Sequence, residues 1–511
     1  MMWKFQLISI RFLVALLLTS QTYAIANAKV DLSDVGQVAL ENSGSPEAQQ
    51  SFLHGLAQLH NFEYRFAAQD FQEAQRLDPD FVLAYWGEAM THNHPIWMRQ
   101  DREAARAALA KLGQTPQERL AKTKTDLARD LLSAVEGLYG EGTKEERDDL
   151  YRLVMADLHT KYPENVDVAA FYALSIMGTA HEGREFDLYM QSAALMQNFI
   201  RDYPQHPGVA HYLIHATDDP THAPLGLIAA NAYGDIAPNA GHAQHMTTHI
   251  FLALGDWDGV IRNNIRASKI TDDFLATRDI GPSGCGHYTS WLMYGYLQQG
   301  KRDEAHAIME LCFKNASETE RNSTLYYYAW QRALYLLDTD EWDGDVAAMK
   351  PDFAEFNAAR HINATVDGWV NVKTGDLSGA RAALKEAREA HKKMMAYWEA
   401  EGVADDQPDR QQPVVRELQL EGMIAQASGN KRKALKLLRE AVEVETVLPF
   451  GFGPPQPAKP SLELLGEALN SFEEFEEAKD VLNQALARTP NKRRVVKALK
   501  DAEAGFAAKA D

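Results

Sequence analysis

His206 to His249 reads HPGVAHYLIHATDDPTHAPLGLIAANAYGDIAPNAGHAQHMTTH and holds seven of the chain's seventeen histidines. Two pairs repeat within it, His211 with His215 and His245 with His249, each spaced i,i+4 and set 34 residues apart. Residues i and i+4 share one helix face, with Cβ atoms about 5–6 Å apart. A 34-residue offset is the length of a helix-turn-helix unit that buries its apolar side against the next copy. Framed as 207–240 and 241–274, the two units place both pairs at the fifth and ninth positions of their first helices. Packed helices stand roughly 8–10 Å apart, so four imidazoles from adjacent units are expected to converge on one point.

Outward from this stretch the same period recurs. AQQSFLHGLAQLHNFEYRFAAQDFQEAQRLDPDF, starting at Ala48, puts Gly55, Ala67, Phe71, Ala74 and Pro79 at positions 8, 20, 24, 27 and 32. Small residues belong where the helices of a hairpin cross, and proline ends the second helix. Later copies carry Gly300 and Ala305; Gly375, Ala380 and Ala387; Gly429, Ala434 and Ala441; and Gly466, Ala478, Ala485 and Pro490. These positions resemble the tetratricopeptide (TPR) family over most of 48–492. The resemblance implies an all-α, right-handed superhelical solenoid of helix-turn-helix repeats. Residues 82–165 and 320–360 read as helical but fit the repeat poorly.

The expected organisation is a signal peptide over 1–28, a lead-in over 29–47, N-terminal repeats over 48–206 and His-rich repeats over 207–319. Further repeats follow over 320–400, then an exposed linker over 401–414 and C-terminal repeats over 415–511. The signal reading rests on Lys4 and Arg11 flanking the apolar FLVALLLT, followed by Ala26-Asn27-Ala28. It implies a periplasmic or secreted chain with no lipoprotein cysteine at the cleavage site. That apolar run is shorter than the roughly 20 residues of a spanning helix, and no later one reaches that length. The formal net charge of −20 disfavours nucleic acid and anionic membrane surfaces, both of which demand clustered Lys and Arg.

In TPR proteins the first helices line the concave groove. The resemblance therefore points His211, His215, Asp218, His242, His245, His249 and His287 inward. Neutral imidazole is the commonest protein metal ligand, and histidine-rich ligation suits copper, zinc or iron. Metal ligands are expected at His211, His215, His245 and His249. Asp218, Asp219, His222, His242 and His287 are expected as further ligands or as groups orienting the rings. The pairs lack the Glu of a zinc-protease helix, since Tyr212 and Met246 stand in its place. The plainer alternative is a polar groove that inherited its histidines by repeat symmetry and binds a peptide, protein or small molecule without chemistry.

A second group, His54, His60, Glu63, Glu88, His92 and His94, mixes imidazole and carboxylate. It offers either a weaker metal or acid-base site or residues that simply pair in hairpin interiors. VLPFGFGPPQPAKPS, 447–461, is either a packed linker or a cover bringing Phe450, Phe452 and Lys459 over the groove. Cys285 and Cys312 are the only cysteines, and the 286–319 frame sets them at the adjoining ends of one hairpin. A disulfide is expected there, the alternative being two free thiols. The blocks YWGEAMTHNHPIW, HYLIHATDDPTHAPLG, HAQHMTTHIF and FGPPQPAKPSLELLGE together resemble a group of exported bacterial TPR proteins with a histidine-rich central region.

Overall fold

The structure, a computed structural model, describes residues 30–319, 321–353, 355–400, 408–449 and 451–510. The leader and Phe450 lie outside them. The chain is an all-α solenoid whose helices pack in sequence order as antiparallel hairpins. The two central units match their frames: Pro207–Thr217 with Ala223–Ile236, then Gly241–Leu254 with Trp257–Ala276. His206 starts the first of these, its Nδ1 accepting the Val209 N–H while Pro207 occupies the first turn, and this fixes the register of His211 and His215. Gly255 ends the Gly241–Leu254 helix in the left-handed conformation (φ 71°), and Asp256 caps the next helix by accepting the Gly259 N–H. In the first repeat Ala67 and Ala74 are fully buried, and Phe52 packs between Phe71 and Phe81 at 5.9 and 4.5 Å.

Two regions depart from the helical reading. After helix Val82–Met90 the YWGEAMTHNHPIW block turns into a short antiparallel ladder pairing Asn93 with Gln100 and His94 with Arg99. Pro95 and left-handed Met98 (φ 53°) make the reversal, because proline cannot continue the helix. Of the expected linker 401–414, residues 401–407 lie outside the described residues. From Pro408 the chain is already helix, Pro408–Ala427, and proline is tolerated at such a start.

The solenoid also closes on itself. In the lead-in, Val35 O accepts from Asn61, Gln37 N–H reaches Gln205 O, and Asp34 O accepts the Asn239 N–H. Helix Gln49–His60 thereby packs against helix Pro207–Thr217. At the other end Trp257 Nε1–H donates to Asn491 O, and Gln298 accepts the Arg493 N–H. The C-terminal hairpins are thus folded back towards the central ones.

Cys285 and Cys312 are joined in a disulfide, with Cα atoms 4.6 Å apart, between the start of helix His287–Gln298 and helix Arg302–Ser317. In the chain-entropy picture, closing a loop of that length stabilises by about 3–4 kcal/mol. Replacing both cysteines by alanine should lower the urea midpoint accordingly, and non-reducing peptide mapping should recover the linked peptides. Free thiol at both positions in oxidised protein would refute the crosslink.

Candidate metal centre

Six histidines line one continuous face of three consecutive first helices. His211 and His215 come from Pro207–Thr217, His242, His245 and His249 from Gly241–Leu254, and His287 opens the next first helix. They do not converge on one point. His211 and His215 meet His242, while His245 and His249 meet His287, and within each trio the ligand atoms lie within 4.8 Å of one another. The superhelical offset between successive hairpins explains the split. Each i,i+4 pair looks across at the histidine beginning the following first helix, not at the equivalent pair. His215 and His249 join the trios, with ring centroids 5.8 Å apart and Asp218 beside both.

Hydrogen bonds fix which nitrogen is free in three of the rings. His211 Nδ1–H donates to the His60 carbonyl at 2.6 Å. His249 Nδ1–H donates to Asp218 Oδ2 at 2.8 Å. His245 Nδ1 faces Asn264 Oδ1 at 2.8 Å, and since the Asn264 amide nitrogen donates to Val260 O, its oxygen must be the acceptor. In the neutral rings Nε2 is therefore the lone-pair nitrogen. Nε2 of His211, His215 and His242 is buried and has no hydrogen-bond partner, and Nε2 of His245 and His249 stand 3.1 Å apart. Nitrogens about 2.0–2.1 Å from a tetrahedral ion are themselves roughly 3.3 Å apart. The donor set fits a soft-to-borderline transition metal in each trio.

Burial, reinforced by repulsion from neighbouring rings, holds His211, His242 and His245 well below the ordinary histidine pKa, and burial lowers His215 too. Asp218 is the opposite case. Burial alone would raise its pKa, but Arg184 and the imidazoles of His215 and His249 keep it ionised. It thus serves as the orienting carboxylate, its two oxygens shared between the guanidinium and the rings. Asp219 and His222 do not reach the trios. Asp219 accepts the Thr221 and His222 backbone N–H groups and the His222 ring at 2.8 Å, which builds the turn.

Aromatic rings cover the centre. Phe62, left-handed at φ 57°, meets His211 edge-on at 4.3 Å and stacks on His215 at 5.7 Å. Trp291 stacks on His249 at 4.6 Å, and Phe452 of the proline-rich segment lies 5.3 Å from the same ring. Phe452 therefore does cover the groove. Lys459 instead turns away into a buried ion cluster with Glu463 and Glu467.

The N-terminal group scatters. Glu63 reaches the centre's edge, its Oε1 accepting the His242 backbone N–H. His60 contributes its carbonyl to His211, while its ring and that of His206 share Asp167 Oδ1 at 3.1 Å each. The His60 Nδ1 accepts from Tyr212 at 3.0 Å. This buried network has its hydrogen bonds satisfied and is structural. Glu88 pairs with Lys111, His94 Nε2–H donates to Thr91 O, and His54 pairs with Asp70. His92 belongs to no ligand trio among the described residues. Arg184, Asn264, Phe62 and Trp291 carried no signal in the repeat spacing, because their roles come from contacts between hairpins.

No protein-family model and no curated sequence matches the chain. It is similar to solved TPR-containing structures at low identity. Cut9 in the complex Cut9-Hcn1 is 13% identical, over 92% of this chain and 79% of that one, with a TM-score of 0.36. Yeast Tom70 is 12% identical over 91% and 90% (TM-score 0.35), and human IFIT1 crystallised with PPP-AAAA is 12% identical over 89% and 95% (TM-score 0.37).

The depressed imidazoles set a pH dependence. In the unfolded chain these histidines protonate near 6.5, in the folded one only at lower pH, so their contribution to stability is complete above 6.5 and is lost as pH falls below it. Each group contributes a slope of about 1.4 kcal/mol per pH unit between its two pKa values. Chelator-treated protein should show a urea midpoint that falls steeply from pH 6.5 to pH 5, and His245→Asn should flatten the fall. An unchanged slope in that variant would contradict the assignment.

Proposed function

We propose that the chain is a metalloprotein whose closed solenoid holds two adjacent three-histidine metal sites, for copper, zinc or iron. One is His211, His215 and His242; the other is His245, His249 and His287. The observation that carries this reading is the set of buried, unpartnered Nε2 atoms on His211, His215 and His242 beside the contacting Nε2 atoms of His245 and His249. Leaving a buried acceptor unpaired costs about 1–3 kcal/mol, an ordered water or an ion restores the partner, and three nitrogens gathered within 4.8 Å suit an ion. Three protein nitrogens leave a tetrahedral ion one open position, as catalytic sites do. A purely protein-binding scaffold is the second reading, and the helical-repeat fold favours it. It offers no reason to bury these nitrogens. The N-terminal stretch supports an exported protein, which would meet its metal outside the cytoplasm.

Elemental analysis after loading should find close to two ions per chain. His211→Ala, His215→Ala or His242→Ala should lose one equivalent, and His245→Ala, His249→Ala or His287→Ala the other. His391→Ala should change nothing, because His391 lies on a distant helix paired with Glu417. Equal metal in every variant, or none under all loading conditions, would eliminate the centre.

Asp218→Asn removes no ligand of either trio but leaves His215 and His249 without their orienting charge. Metal affinity should fall roughly 10- to 100-fold while the stoichiometry at saturating metal stays the same. Competition with a chromophoric chelator reads both quantities, and unchanged affinity would take Asp218 out of the assembly.

A further inference from the structure

A cavity of about 370 Å³ opens from the centre, between the first helices and the proline-rich segment. His287 and Asp218 line it, as do Glu445, Arg488 and Thr489. Its walls are dominated by the rings of Trp257, Trp291, Tyr294, Tyr326, Tyr327 and Trp330.

The roof is held by directed contacts. Trp330 Nε1–H donates to Pro455 O, and Tyr326 OH donates to Gln456. Gly453, left-handed at φ 108°, lies so close that a Cβ there would come 2.5 Å from the Trp291 ring. The solenoid's concave side is thus filled by its own segment. No channel for an extended peptide is needed to account for what remains, which has the volume of a small-molecule pocket.

Charge narrows the occupant further. Asp218 is paired with Arg184, which also reaches Asp219 at 3.6 Å, burial pushes the Glu445 carboxyl up, and Arg488 lies beside Glu445. The lining has no surplus of negative charge to select an organic cation over a neutral ring. Aromatic walls then favour planar rings by offset-stacked and edge-on contacts.

We propose that this cavity binds a small, uncharged, planar aromatic molecule and presents one end of it to His287 and the histidine centre. The proposal rests on the cavity walls alone and goes beyond the metal reading, which can fail without it.

Full-length protein should be titrated with 2-naphthol, its saturated counterpart decahydro-2-naphthol and choline, by calorimetry and tryptophan fluorescence, in chelator-treated and metal-loaded forms. The expected result is that 2-naphthol binds at least about tenfold more tightly than either of the others. Trp330→Phe keeps a ring on the wall and should bind within about threefold of the parent, while Trp330→Leu should lose about tenfold with its metal content and circular dichroism unchanged. The pair of variants separates stacking from anchoring of the roof, since both lose the indole N–H. Equal affinity for the saturated compound, preference for choline, no 2-naphthol binding below millimolar in either form, or equal affinity in Trp330→Leu would each overturn the proposal. Binding by chelator-treated protein that takes up no metal under any condition would leave this inference standing and remove the metal centre instead.

Discussion

The 3.1 Å contact between the Nε2 atoms of His245 and His249 is the constraint that gives the rest of the structure its sense. Each ring is held there by a fixed partner on its other nitrogen, Asn264 for His245 and Asp218 for His249. Asp218 in turn is held by Arg184, which comes from the preceding hairpin. Three successive units are therefore committed to one arrangement, which a cation between the nitrogens would satisfy. Protonating His245 would relieve the contact, but burial holds its pKa well below the ordinary histidine value. In the proposed metal reading an ion between the nitrogens would relieve it instead.

Closure of the solenoid follows the same logic. An open TPR groove would leave these imidazoles in water, where their unpaired nitrogens would cost nothing and select nothing. Here Phe62, Trp291 and Phe452 cover the rings, and the lead-in and the C-terminal turn tie both ends down. Excluding water strengthens every electrostatic interaction inside. It also consumes the concave surface that a repeat scaffold would otherwise use for a peptide.

The period of 34 was enough to place the hairpins, because it is written in small residues and prolines that act within one unit. Gly255 ends its own helix in the left-handed conformation, and Ala67 is buried within the first repeat. The histidine pairs were legible for the same reason, and their depth in the groove followed from the frame. Their grouping was not, because the superhelical offset sends His211 and His215 towards His242 and not towards His245. Arg184, Asn264 and Phe62 were invisible, since nothing in a repeat pattern says which side chain from a neighbouring hairpin will meet a given ring. The Asn93–Gln100 ladder was missed because apolar period cannot see a reversal made by Pro95 and a left-handed Met98.

Charge balance carries the argument one step further. The six histidines are nitrogen donors, and the buried Asp218 and Asp219 beside them share the single guanidinium of Arg184. Any divalent ion held in these trios would bring positive charge into a low-dielectric site that the protein does not itself fully neutralise. Glu63 is the nearest further carboxylate. Burial raises its pKa, and it is engaged with the backbone N–H of His242. An ion in such surroundings would favour an anion at its open position and would lower the pKa of a water held there.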